Sequence, residues 1–250
     1  VKNLLFVALF VVVKIAYGQE HLNIAAAADM QFALEEAVVV FKQTHPEVAV
    51  ATIYGSSGKF AEQIRSGAPY DLFFSADIRY PRELHRAGYA ASPVQAYALG
   101  RIVLWSASEP LNQLSDLADA RFKRVAIANP QHAPYGQRAA EALQAAGVWD
   151  KIESKLVYGD NVAQTAQFVD SGNAQAGIIA LSLALSPALS KRGHYVLIAD
   201  NLHQKLEQGF ILTTHAAQNK LAYQFAQFMA SAEARALLKR HGFALPDAAK

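Results

Sequence analysis

The sequence predicts an α/β protein built on mostly parallel sheets. Short β-rich runs alternate with stretches of helical periodicity, the pattern of strands joined by crossover helices. Four times a strand hands over to a helix through small or capping residues: at Ala28-Asp29, Ser56-Ser57, Pro134-Tyr135 and Asn161-Val162. With 250 residues, 52% hydrophobic and 18% charged, the chain has core enough for one large domain or two smaller ones, and it is not disordered.

In order, His21 to Ala26 reads as a first strand, and a helical pattern runs from Met30 to the residues before His45-Pro46. The proline pushes its predecessor out of helical conformation. Val48 to Tyr54 is a second strand and Ser57 to Ser66 a helix, ended by Gly67-Ala68-Pro69. Asp71 to Ser75 is a buried strand, followed by a helix from Ala76-Asp77 to Ala87. Tyr97 to Ala107 is apolar and long enough to pass between two lobes. Leu114 to Ala120 is a short helix, Arg124 to Ala128 a strand and Gln137 to Ala146 a helix. Lys155 to Tyr158 is a strand, and Asn161 caps a helix over Val162 to Val169. Gln175 to Ala180, Tyr195 to Ile198 and Leu206 to Thr213 are strands, with 187–193 irregular. Ala217 to Ala230 and Ala232 to Arg240 are helices, the second capped by Ser231, and they need a sheet to cover. Lobe one is expected over 19–97 and 201–250, and lobe two over 98–200.

Residues 1–18 read as a secretory signal peptide. Lys2 is the charged start, Leu4 to Val13 is apolar, and Ala16 and Gly18 are the small residues before a cut at Gln19. An uncleaved anchor is the alternative, although the run is short of the ~20 residues that span a bilayer. Without cysteine the chain has no disulfide, thiolate metal ligand, thiol nucleophile or lipobox. Together these features predict a soluble periplasmic protein. Loss of 1–18 removes Lys2 and Lys14 and leaves 21 basic against 21 acidic side chains. No basic patch interleaved with aromatics points to nucleic acid.

The junctions carry the chemistry. At a helix N-terminus the first amides have no intrahelical acceptor, and the helix dipole adds partial positive charge. Gly55 and Gly58 let backbone approach a ligand closely, and the Ser56 and Ser57 hydroxyls are further donors. An anion is the natural occupant. Other chemistry fits worse. Gly55-Ser56-Ser57-Gly58 lacks the Gly-x-Ser-x-Gly spacing of a nucleophile elbow, and Gly58-Lys59-Phe60 lacks the Ser/Thr of a P-loop. The eight histidines show no metal spacing, and His132 is read as fixing its loop. We expect no enzyme and no cofactor, but a cleft in which Ala28, Asp29, Ser56, Ser57, Tyr135 and Val162 surround an anion with neutral donors.

As a set, these motifs resemble the ModA family, the periplasmic molybdate-binding proteins of ABC importers. Those that carry the resemblance are Ala25 to Ala28, Gly55-Ser56-Ser57-Gly58, Gly67 to Asp77, Asn129-Pro130 to Gly136, Asp160-Asn161-Val162, Ala174 to Ile178 and Arg240-His241-Gly242-Phe243. The resemblance covers nearly the whole chain after the signal. It implies a two-lobed type II periplasmic binding protein fold, with mixed sheets flanked by helices. It also implies a monomer that binds molybdate or tungstate and delivers it to a membrane permease. By the same resemblance, Ser57 takes the ligand-serine position, and Tyr135 and Val162 take positions that donate backbone N–H groups. Two positions depart from the family. Asp29 stands where Ser or Thr is usual, and Ala180 where many members have a tyrosine that Tyr135 could replace. An ionised carboxylate beside a dianion is unfavourable. Either Asp29 caps its helix, the reading we favour, or the ligand carries a proton or positive charge, as phosphate or a phosphonate would.

Overall fold

The computed structural model describes residues 21–246; the predicted signal peptide lies outside them. The chain runs β1 (His21–Ala27), α1 (Gln31–Thr44), β2 (Ala49–Gly55), α2 (Ser57–Arg65), β3 (Leu72–Ser75), α3 (Arg79–Arg86), β4 (Gln95–Gly100) and β5 (Ile102–Ser106). It continues through β6 (Val125–Ala128), α4 (Pro134–Ala145), α5 (Trp149–Ile152), β7 (Leu156–Gly159), α6 (Val162–Asp170), β8 (Ala176–Ala180) and α7 (Leu181–Ala184). It closes with β9 (His194–Leu197), β10 (Leu206–Leu212), α8 (Lys220–Met229) and α9 (Ala232–Arg240).

Two five-stranded sheets result, ordered β2-β1-β3-β10-β4 and β7-β6-β8-β5-β9. Each has a parallel trio, β2-β1-β3 or β7-β6-β8, followed by an antiparallel strand. The sheets are therefore mixed, as expected. Register brings the ends of neighbouring parallel strands level, Ala27 with Gly55 and Ala128 with Gly159. The helices that follow these strands thus start side by side, at the edge where open α/β sheets bind ligands.

The run from Tyr97 to Ala107 reads as one strand but is two. β4 pairs with β10 through Gly100↔Leu206, while β5 pairs with β8 from Ile102↔Ala180. The chain changes sheets at Arg101, so residues 98–100 stay in the first sheet and do not begin the second lobe. Periodicity cannot register the change, because both halves are apolar and only the hydrogen-bonding partner differs. The return crossing lies between β9 and β10.

Helix starts shift for local reasons. α4 begins at Pro134, three residues before the expected Gln137, because proline is well suited to the first helical position. α3 begins at Arg79, since the Asp77 carboxylate accepts the Arg79 amide at 2.9 Å and holds a turn ahead of it. α8 begins at Lys220, where Asn219 accepts from the Leu221 amide. The caps assigned to Asn161 and Ser231 are present. α8 and α9 bury Phe225, Met229, Leu237 and Leu238 against the first sheet, with the Phe225 ring edge-on to Phe41 at 5.0 Å. They find the sheet their pattern required.

Gly136 sets how closely α4 lies on β6. A Cβ there would collide with the Ala128 carbonyl, a backbone group that cannot swing aside. Gly136→Ala gains about 1 kcal/mol of helix propensity but forces an overpacking displacement. A net loss of about 1–3 kcal/mol is expected in urea unfolding; equal or greater stability would show that α4 can shift freely.

Candidate functional site

The four junctions meet in one small enclosed cavity between the two sheets. It is lined by Ala27-Ala28-Asp29, Gly55-Ser56-Ser57, Ala76, Ala133-Pro134-Tyr135 and Asn161-Val162. Its free volume is about 10 Å³, about what one water molecule needs. The structure brings all six residues expected from the sequence to this wall. No lysine, arginine or histidine lines it.

Ser57 opens α2 and is fully buried. Its Oγ accepts the Ala76 amide at 3.0 Å, which orients the hydroxyl and leaves its hydrogen available to donate. The Ser57, Tyr135 and Val162 amides lie in the first turns of α2, α4 and α6, before any intrahelical acceptor. Asn161 spends its side chain on the Ala163 and Gln164 amides, 3.0 Å each, so the Val162 amide is left over. Apart from the Asp29 carboxyl, the wall is a set of neutral donors around a largely buried space, where a charge meets little competition from water.

Ser56 does something different from its neighbour. Its hydroxyl donates to the His132 carbonyl, and His132 Nδ1 lies 2.9 Å away. The Gly58 amide donates to the same carbonyl at 3.0 Å. Ser56 thus ties the α2 junction to the loop before α4, where His132 serves as a cross-lobe acceptor through its carbonyl. Further contacts cross between the sheets' helices: Lys59 with Asp160, Arg79 with Gln137 at 2.9 Å, and buried Arg138 with Asp77 at 3.4 Å. The lobes are closed on the cavity.

Asp29 does not cap its helix. No side-chain capping bond forms at the 3₁₀ turn containing it or at α1. Its Oδ2 instead accepts the Tyr135 hydroxyl at 2.9 Å and the Gln208 side-chain amide at 2.6 Å. Oδ1 is buried and has no partner. The tertiary donors outcompete the cap, because the pleat of β10 and the first turn of α4 aim both of them at one oxygen. Tyr135 therefore gives its hydroxyl to Asp29 and does not stand in for the tyrosine missing at Ala180, which is buried away from the cavity wall. Sequence reasoning missed Gln208. It is wholly buried beside a register shift at Gln208/Gly209, and a bulge re-aims side chains. The signal that could have found it is a glutamine within an apolar strand. Gly100 makes room for the cluster, since a Cβ there would sit 2.5 Å from Tyr135 Oη and 2.6 Å from Gln208 Nε2.

The chain matches the profile of the bacterial extracellular solute-binding proteins over residues 22–244. It is 34% identical over 199 residues to the molybdate-binding protein ModA of Azotobacter vinelandii, covering 78% of this chain and 79% of the relative. The chain belongs to the ModA family. Another ModA, from Rhodobacter capsulatus, is 32% identical over 196 residues, covering 78% of this chain and 77% of that one. In structure, this ModA-family chain superimposes on the periplasmic molybdate-binding protein of A. vinelandii with a TM-score of 0.85 and 33% identity, over 90% of this chain and 100% of the other. That match bears out the two-lobed periplasmic binding protein fold. Among the described residues no helix is long and apolar enough to cross a membrane.

Burial pushes the Asp29 carboxyl up from 3.8 to about 6, against the lowering effect of the Gln208 and Tyr135 hydrogen bonds and of the Asp29 and Met30 main-chain amides. A raised carboxyl pKa means that folding favours the neutral acid. This contribution to stability is full below about pH 4 and is lost as pH rises through 6. Asp29→Asn cannot ionise and escapes the loss. Relative to wild type it should gain about 2–3 kcal/mol between pH 4 and pH 7.5, read by urea unfolding at both pH values. An unchanged difference would mean that ionising Asp29 costs the fold nothing.

Proposed function

We propose that the protein is the periplasmic solute-binding component of an ABC importer, that its solute is molybdate or tungstate, and that it delivers this ion unchanged to a membrane permease. The observation that carries the reading is the closed cavity ringed by first-turn amides and the primed Ser57 hydroxyl, with no cation in its wall. Such a site holds a small anion by many oriented dipoles. Its one hydroxyl–imidazole contact, Ser56 with His132, has the hydroxyl committed to the His132 carbonyl, so binding without turnover is the chemistry it supports. The names of the relatives above favour molybdate among small anions, and the two metal oxyanions share charge and shape.

We propose Ser57, Tyr135 and Val162 as the principal donors, with Ala28 and Asp29 closing the wall and Ser56 holding the lobes together. Capture then consists of entry between open lobes and closure about the two chain crossings, at Arg101 and over residues 198–205. The protein would act as a monomer, secreted by way of residues 1–18.

One observation favours a second reading. The unpartnered Oδ1 of Asp29, if ionised, would accept a hydrogen bond from a protonated oxyanion such as phosphate or a phosphonate. Thermal shifts of the mature protein against molybdate, tungstate, sulfate, phosphate and a phosphonate separate the two. A ligand at 1,000 times its Kd adds about 4 kcal/mol, on the order of 10 °C in Tm. A shift with molybdate and tungstate alone is expected. A shift with phosphate or the phosphonate alone would replace the first reading by the second. Ser57→Ala removes a hydroxyl donor to a charged group, about 1.5–3 kcal/mol, and should weaken molybdate roughly 10- to 100-fold in calorimetric titration.

A further inference from the structure

Asp29 is the one ionisable carboxylate in the cavity wall. Its burial favours the neutral acid, against hydrogen bonds that favour the carboxylate. Two side-chain donors converge on Oδ2, the Tyr135 hydroxyl of α4 at 2.9 Å and the Gln208 amide of β10 at 2.6 Å, and the Asp29 and Met30 main-chain amides also act on the carboxyl. Gln208 is held in that orientation from behind, because its Oε1 accepts the Tyr97 hydroxyl of β4 at 2.6 Å. On the α7 side, the Ser182 hydroxyl donates to the Asp29 main-chain carbonyl at 2.8 Å, not to the carboxyl. Oδ1 alone has no partner, and it is sealed from water. The titratable groups that face Asp29 are therefore Tyr135 and, behind Gln208, Tyr97. Both phenols are pushed well above their ordinary value by burial first and then by Asp29 itself, so both stay neutral. Among the described residues no lysine, arginine or histidine forms an ion pair with Asp29, and no charged neighbour contributes to its shift. An ionised Asp29 would face a bound dianion across a buried cavity with no cation in its wall to offset the repulsion.

We propose that Asp29 is the proton-linked specificity residue of this site: it holds a proton when the lobes are closed on a fully ionised oxyanion, and its Oδ1–H is one of the donors to that ion. The proposal rests on the oxyanion-binding reading above and deepens it. The proton comes from solvent, on Oδ1, and no other bond changes. In this arrangement the ligand need not carry the proton, since the wall supplies it. Burial, net of the hydrogen bonds that oppose it, already places the carboxyl near 6, and a dianion beside it raises that further. Tyr135 reaches Asp29 from the opposite lobe, so the environment that favours the acid is completed by closure. Proton uptake and capture of the anion are then one linked event.

Isothermal titration of the mature protein with sodium molybdate, from pH 6 to 8.5 and in two buffers of different protonation heat, tests this. Wild type should take up close to one proton per molybdate at pH 7.5, and its Kd should rise about tenfold per pH unit above pH 6. Asp29→Asn, a neutral isostere that keeps a donor, should take up no proton, lose the pH slope and bind tighter than wild type at pH 8 by tenfold or more. Molybdate binding by wild type with a flat Kd and no proton uptake would overturn the inference and leave the oxyanion reading standing. Uptake that persists in Asp29→Asn would overturn it too, by assigning the proton to another group. If neither protein binds molybdate, tungstate or phosphate at any of these pH values, the oxyanion reading fails and the inference falls with it.

Discussion

A small anion can be kept out of water only where fixed N–H and O–H groups replace its hydration, and the architecture of this protein is arranged around that constraint. One helix N-terminus presents a few free amides over a narrow solid angle. Enclosing an ion takes several, pointing inward from different sides. Parallel strands in register solve half the problem, because Ala27 and Gly55 end level, as do Ala128 and Gly159, so the following helices begin together. Two such sheets facing one another supply the other half. The small residues at these ends follow from the same need: Ala27, Ala28, Gly55 and Ala133 leave backbone, not side chain, in the cavity wall.

Closure is held by contacts of different character. Ser56 and Gly58 to His132 and Arg138 to Asp77 are buried or partly buried, and they align elements on either side of the cavity. The Lys59–Asp160 pair is about half exposed on both sides, and a pair of that kind contributes ~0–1 kcal/mol. Such contacts favour a defined closed geometry without locking it, which suits a protein that must release what it carries. The Asp29–Tyr135–Gln208 cluster stands apart from them, because it joins the two lobes through a buried carboxyl.

That cluster also explains a local rule that the sequence breaks. Asp is among the best N-cap residues, but Asp29 lies within the 3₁₀ turn 28–30, between the cap positions Ala27 and Met30, and caps nothing. A cap is a bond within a few residues, available in any isolated helix. The Tyr135 and Gln208 donors arrive from 106 and 179 residues away, and burial makes leaving them unsatisfied more unfavourable than forgoing a solvated cap.

What the sequence by itself determined is everything carried by local pattern. The alternation of strand and helix, the caps at Asn161 and Ser231, the cover that α8 and α9 provide, and the small-residue junctions at 28–29, 56–57, 134–135 and 161–162 are all written within windows of a dozen residues. So were the free first-turn amides of those junctions, since these belong to any helix start. Tertiary structure decided what depends on a distant partner. It split the run at Arg101 between two sheets, assigned the Ser56 hydroxyl to the opposite lobe while leaving that of Ser57 for the cavity, brought in Gln208 from β10, and turned Asp29 from a helix cap into a buried acid. Periodicity and propensity describe a residue's neighbours along the chain, whereas hydrogen-bond partners and desolvation are set by neighbours in space.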